Sequence, residues 1–133
     1  MSKHILLAED DADDQLFFTT ALKEASAHAR LTIVSTANAA LEFLRESQDL
    51  PDICIFDINM PGTSGTDLLK IIRSEERFKN LQIVMLTTSS DHQTAQLCLD
   101  LGANGFYSKP ETHTLLVKII DNILSYVETE SRH

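Results

Sequence analysis

The stretch Ile53-Cys54-Ile55-Phe56-Asp57-Ile58-Asn59-Met60-Pro61-Gly62-Thr63-Ser64-Gly65 decides the fold, because an apolar run ends at a carboxylate and turns at once into a loop rich in proline and glycine. Runs that are apolar at every position belong to strands covered on both faces, as in parallel sheets. Ligands of such sheets gather beyond the carboxyl ends of the strands, where Asp57 lies. An aspartate that opens a turn often only caps nearby N–H groups. The residues at the ends of the other strands must therefore decide whether Asp57 has a structural or a functional role.

Five strand-like apolar runs alternate with segments of helical periodicity along the chain. The runs begin near His4, Leu31, Ile53, Gln82 and Gly105. Repeated strand–helix units with short connections predict a parallel sheet with right-handed crossovers and helices on both faces. We therefore predict a doubly wound α/β fold of the (βα)5 type, and five strands favour the flavodoxin-like strand order 2-1-3-4-5.

The predicted helices carry recognisable end signals. Asp11 can cap the first helix, and Asp13 and Asp14 suit its positive N-terminal end. Gly102 follows the fourth helix, where a left-handed C-terminal cap is expected. Residues 1–128 are predicted to form one domain, followed by a polar tail at residues 129–133.

Composition and charge exclude several classes of function. The chain has 133 residues, of which 43% are hydrophobic, enough for one domain with its own core. Its only early apolar run, Ile5 to Ala8, is too short for a signal peptide or a membrane span, so we expect a soluble, cytoplasmic protein with no membrane partner. The net charge of −9 argues against binding to nucleic acid. Cys54 and Cys98 are expected to be buried hydrophobes.

Four of the predicted strands deliver polar side chains to the same edge of the sheet. The first strand brings Glu9 and Asp10, the third Asp57, the fourth Thr87 and the fifth Lys109. Neighbouring carboxylates repel each other by about 4 kcal/mol per close pair at an effective dielectric constant of about 20, so this group needs cations. Lys109 supplies one charge. Because the remaining ligands are oxygens and the site has no His or Cys, the sequence predicts Mg²⁺ rather than Zn²⁺.

This set of residues also predicts a reaction. With its charge balanced, Asp57 can attack phosphorus as a carboxylate nucleophile and form an aspartyl phosphate. Thr87 can offer a hydroxyl group, and Lys109 an ammonium group, to the phosphoryl oxygens. Asn59, two residues after Asp57, is placed to lend its backbone carbonyl to the metal, together with Glu9, Asp10 and Asp57 as the predicted metal ligands.

These residues and their order resemble the receiver domain of response regulators, the phosphoacceptor half of two-component systems, over nearly the whole chain. The family's acidic pair falls on Glu9 and Asp10, and its phosphorylated aspartate on Asp57. Its switch hydroxyl falls on Thr87, and its lysine, which a proline follows, on Lys109. The family pattern of aspartate, two residues, Met-Pro, three residues and glycine is also present, starting at Asp57.

The resemblance implies a switch at the end of the sheet. Phe106 occupies the position of an aromatic residue whose ring moves inward when Thr87 is drawn to the phosphoryl group. It lacks the hydroxyl group of the tyrosine often found there, and Tyr107 should point to the other face of the sheet. The resemblance also implies a cis bond between Lys109 and Pro110.

The resemblance further implies the partners. A histidine kinase or a histidine phosphotransfer protein would phosphorylate Asp57, and the change would alter affinity for an unknown protein effector. The fourth helix, fifth strand and fifth helix would form the face that responds to phosphorylation. A homodimer through the same face is the alternative to an effector. No output domain is expected after the last helix. The protein would be a switch rather than an enzyme, promoting only its own phosphorylation and dephosphorylation.

Three alternatives compete with this interpretation. A phosphatase of the haloacid dehalogenase kind also uses an aspartate after a strand, but it needs a second acid two residues later, where this chain has Asn59. A flavodoxin would need a phosphate-binding loop after the first strand, where Glu9, Asp10 and Asp11 repel an anion. A scaffold that is never phosphorylated would not need the complete set of acids, hydroxyl and lysine.

Overall fold

The computed structural model describes residues 3–88 and 91–130, with side chains as far as position 125. Strands and helices alternate as predicted, and a short 3₁₀ helix that the sequence pattern does not predict, Glu76–Phe78, precedes the fourth strand. The elements are β1 His4–Ala8, α1 Ala12–Ala25, β2 Arg30–Val34, α2 Ala37–Glu46, β3 Ile53–Phe56, α3 Gly65–Arg73, β4 Ile83–Thr87, α4 His92–Asp100, β5 Gly105–Ser108 and α5 His113–Glu130.

The five strands form one parallel sheet in the order β2-β1-β3-β4-β5, which confirms the predicted doubly wound fold. Central β3 is buried along its whole length, and its residues alternate between two hydrophobic cores. Ile53 and Ile55 pack with α1 and α5, whereas Cys54 and Phe56 pack with α2, α3 and α4. Because both faces of β3 are covered, an apolar run without alternation is the pattern that this strand requires.

Helix ends follow the signals in the sequence. The Asp11 carboxylate caps α1 by accepting the Asp14 N–H at 2.9 Å. Gly102 adopts a φ of +106° after α4, as expected for a left-handed cap. Helix α5 continues to Glu130 and so includes the first two residues of the predicted tail. Residues 131–133 lie outside the described residues, and the domain boundary stays a prediction.

The loop after β3 closes tightly at Gly65. The Gly65 N–H donates to the Ile58 carbonyl at 2.9 Å. A Cβ atom on Gly65 would overlap the backbone carbonyl of Asp57 and lie 2.8 Å from the Ile58 Cα atom. Only glycine permits this approach, so the last glycine of the motif fixes the backbone that carries Asp57.

The expectation of a cis bond at Pro110 is wrong. No cis peptide bond occurs in the described part of the chain, and Lys109 and Pro110 are joined in trans. Trans is the favoured form of a prolyl bond by about 0.5–1 kcal/mol unless a tight turn selects cis. Here residues 109–112 separate β5 from α5, and a connection of this length can reverse the chain with the favoured isomer.

Replacing Gly65 by alanine should destabilise the protein, because the new methyl group would push the Asp57 backbone out of place. We expect the free energy of unfolding to fall by about 1–3 kcal/mol, the usual cost of forcing an atom into a packed interior, as measured by urea denaturation. Gly105→Ala is the matched control, since its Cβ would meet the nearest Val84 methyl group at an ordinary 3.5 Å. Equal losses in the two variants would contradict the role given to Gly65.

Candidate functional site

The site lies where β1, β3, β4 and β5 end at the same edge of the sheet. Glu9 follows β1, Asp57 follows β3, Thr87 ends β4, and Lys109 lies just beyond β5. Backbone hydrogen bonds extend the strand pairing to these residues. The Asp57 N–H donates to the Ala8 carbonyl at 3.1 Å, and the Lys109 N–H donates to the Thr87 carbonyl at 2.9 Å. The sheet therefore fixes the starting positions of the side chains.

Lys109 is the centre of the site. Its Nζ atom lies 2.6 Å from Glu9 Oε1, 2.8 Å from Asp14 Oδ2 and 3.0 Å from Asp57 Oδ2. An ammonium group carries three N–H donors, so each donor has one carboxylate acceptor. The Lys109 side chain is 15% exposed, and those of Glu9 and Asp57 are 5% and 7% exposed. Charges buried to this degree persist only when they are paired.

Burial and pairing shift the protonation equilibria of this cluster in different ways. Burial raises the pKa of Glu9, and the opposing hydrogen bond from Lys109 does not cancel that rise. Burial alone would lower the pKa of Lys109, but hydrogen bonds to Asp14, Glu9 and Asp57 raise it above its ordinary value. Lys109 is therefore a cation at neutral pH, surrounded by three carboxyl groups.

Glu9, Asp10 and Asp57 form the group best suited to a metal ion. Each offers a carboxylate oxygen, and these oxygens all lie within 4.8 Å of one another. Glu9 and Asp57 are buried, whereas Asp10 is exposed to solvent. Three hard oxygen donors with one solvent-facing member fit Mg²⁺ or Mn²⁺, which keep water ligands. The Asn59 N–H donates to Asp57 Oδ1 at 3.2 Å, and the role of the Asn59 carbonyl as a ligand stays a prediction.

Thr87 and Phe106 lie on neighbouring strands beside this cluster. Thr87 is fully buried. Phe106 pairs with Met85 in the sheet and packs on the core beneath α2, α3 and α4. Tyr107 faces the opposite core, as predicted, and its hydroxyl oxygen accepts a hydrogen bond from Asn122 Nδ2 at 2.7 Å. The arrangement places the two predicted switch residues on adjacent strands, and their movement stays a prediction.

Asp14 is the member of the site that the sequence pattern missed. An acidic residue at this position suits the positive N-terminal end of α1, but the Asp14 side chain also forms an ion pair with Lys109. The spacing holds a usable signal, because Asp14 and the buried Phe18 are four residues apart within α1, and residues at that spacing share a face. A carboxylate one turn into α1 can therefore face the sheet edge.

A cavity of about 430 Å³ opens beside the cluster, between α1 and α5. Asp57 and Lys109 line it, together with Asp13 from the first turn of α1 and Pro110 from the loop before α5. The Asp57 carboxylate is thus mostly buried but faces a space large enough for a small molecule or an inserted side chain.

Comparison with known proteins identifies the family. The model of the response regulator receiver domain matches residues 5–121. The chain belongs to this family. Receiver domains act in two-component signalling, interact with histidine kinases or phosphotransfer proteins, and bind Mg²⁺ or Mn²⁺ in an acidic pocket. The resemblance inferred from the sequence motifs is therefore confirmed.

Relatives of this receiver domain differ greatly in length. The 3',5'-cyclic-nucleotide phosphodiesterase regA of Dictyostelium discoideum is 28% identical over 124 residues, which are 92% of this chain and only 15% of that protein. Response regulator Rcp1 of Synechocystis is 28% identical over 129 residues, covering 93% of this chain and 88% of Rcp1. The Mn²⁺-bound structure of response regulator Rcp1 is similar to this chain with a TM-score of 0.81 and 27% sequence identity. The match covers 93% of this chain and 93% of the Rcp1 chain.

Membrane insertion has no support in the helices that the structure describes. None of them combines the length and the apolar character needed to cross a bilayer.

Adding Mg²⁺ should stabilise the folded receiver domain, because the ion relieves repulsion among Glu9, Asp10 and Asp57. At a concentration 100 times the dissociation constant, the gain should be about 2.7 kcal/mol, as measured by urea denaturation with and without the ion. Asp10→Asn should lose most of that gain. The control Asp49→Asn removes an exposed charge before β3, at the other end of the strand, and should keep it. Equal gains in both variants would place the ion elsewhere.

Proposed function

We propose that this receiver domain accepts a phosphoryl group on Asp57 from a histidine kinase or a histidine phosphotransfer protein, with Mg²⁺ held by Glu9, Asp10 and Asp57. The observation that carries the proposal is the 3.0 Å contact between Lys109 Nζ and Asp57 Oδ2 within a buried acidic cluster. A lysine held against one carboxylate, with further acids beside it, is the arrangement expected where a phosphoryl group is transferred to that carboxylate.

The roles of the residues follow from their contacts. An oxygen of Asp57 attacks phosphorus, a phosphorus–oxygen bond forms, and the bond from phosphorus to the donor breaks, with its electron pair leaving on the donor. The Asn59 N–H holds Oδ1, which orients the carboxylate. Lys109 then donates to a phosphoryl oxygen, where negative charge must be stabilised. When bound, Mg²⁺ would neutralise the carboxylates and the incoming phosphoryl oxygens.

The consequence of phosphorylation is a change in affinity for another protein. Thr87 would donate its hydroxyl group to the phosphoryl group, and Phe106 on the adjacent strand would move with it. The responding face is that of α4, β5 and α5, and its partner would be an effector protein or a second copy of the chain.

The proposed protein is a switch rather than an enzyme that acts on a separate substrate. Its chemistry is limited to gaining and losing the phosphoryl group on its own aspartate. Location in the cytoplasm stays a prediction from the sequence.

Incubation with acetyl phosphate and Mg²⁺ tests the proposal, with the added mass read by intact mass spectrometry. We expect one phosphoryl adduct on the wild-type protein and on the control Asp49→Asn, and none on Asp57→Asn. Omission of Mg²⁺ should suppress the adduct, because the acidic cluster would then repel the donor. An unmodified wild-type protein would overturn the proposal, and an adduct on Asp57→Asn would move the acceptor to another residue.

A further inference from the structure

We infer that Asp14 is a positioning residue that holds the Lys109 ammonium group in place while the other partners of that group change. The inference rests on the proposed function, since it concerns the same phosphorylation site. Asp14 would not contact the phosphoryl group itself; it would act through the lysine.

The three carboxylates around Lys109 are not equivalent. Glu9 and Asp57 belong to the group that can hold a metal ion, and Asp57 is also the proposed phosphoacceptor. Asp14 is outside that group, yet its Oδ2 atom lies 2.8 Å from Lys109 Nζ. When the metal and the phosphoryl group occupy the oxygens of Glu9 and Asp57, two of the three acceptors of Lys109 are altered. The Asp14 carboxylate is the acceptor that stays unchanged.

Asp14 also stands on a well-fixed part of the chain. Its backbone N–H donates to Asp11 Oδ1 at 2.9 Å, so the cap of α1 sets its position. The next residue, Gln15, donates from Nε2 to the Glu9 carbonyl at 2.6 Å, which joins the first turn of α1 to the end of β1. The carboxylate therefore approaches Lys109 from an element tied to the same edge of the sheet as Glu9.

The contact is better placed to set geometry than to hold the fold together. The Asp14 side chain is 42% exposed, and ion pairs with one solvent-exposed member contribute little to folding. Catalysis is more sensitive, because a donor must already point at the developing charge. Without Asp14, Lys109 would be drawn towards Glu9 and Asp57 alone, where it competes with the metal for the same oxygens.

The test compares Asp14→Asn with Asp67→Asn. Asp67 lies in the first turn of α3, is exposed and contacts neither Lys109 nor the cavity, so its replacement removes an equal charge outside the site. With acetyl phosphate and saturating Mg²⁺, we expect Asp14→Asn to be phosphorylated about fivefold to tenfold more slowly than wild type, the loss expected for one charge-assisted hydrogen bond. Asp67→Asn should stay within about twofold of wild type, since it keeps every Lys109 contact. Asp14→Glu should recover part of the rate.

A double-mutant cycle separates action through the lysine from a general effect. In a Lys109→Ala background, followed by intact mass over long incubations, Asp14→Asn should cause no further loss. An additional loss of the same size there would overturn the inference, as would equal rates for Asp14→Asn and Asp67→Asn while the wild type is phosphorylated. A wild-type protein that takes up no phosphoryl group would overturn the proposed function and this inference with it.

Discussion

The contact between the Lys109 ammonium group and the carboxylates of Glu9, Asp14 and Asp57 is the interaction on which the site depends. It joins residues that follow β1, β3 and β5 to one residue of α1, so it forms only when these elements are correctly placed. Bringing buried carboxylates this close without a cation would be strongly unfavourable. The fold therefore places the mostly buried Lys109 among three carboxyl groups, where a divalent ion can balance further negative charge.

The sheet makes this arrangement possible. Both faces of the central strand β3 are buried in hydrophobic cores, and Gly65 lets the following loop fold back on the Asp57 backbone. Asp57 is thus carried by a buried strand and a tight loop, as the proposed phosphoacceptor role requires. The same sheet places Thr87 and Phe106 on the neighbouring strands β4 and β5.

The pattern of apolar runs predicts most of the fold, because a parallel sheet buried on both faces leaves a strong signal in sequence. The site residues Glu9, Asp10, Asp57, Thr87 and Lys109 were predictable for a related reason, since each follows or ends a strand whose position is clear. The 3₁₀ helix before β4 was not predictable, because three residues are too few to show a helical period.

Two further residues show where sequence patterns are ambiguous. An acid at position 14 suits the positive N-terminal end of α1 equally well, and only the contact with Lys109 in the folded structure shows its second role. The isomer of the Lys109–Pro110 bond depends on the length and path of the connection to α5, which a local dipeptide does not specify.

The most direct test of the proposed site is a crystal structure of the protein grown with Mn²⁺ and beryllofluoride, a mimic of the phosphoryl group. We expect an anomalous peak bound by Glu9, Asp10 and Asp57, the mimic attached to Asp57, and Lys109 Nζ donating to the mimic while still bonded to Asp14. A manganese peak away from these three carboxylates, or a Lys109 side chain directed away from Asp57, would contradict the proposed site.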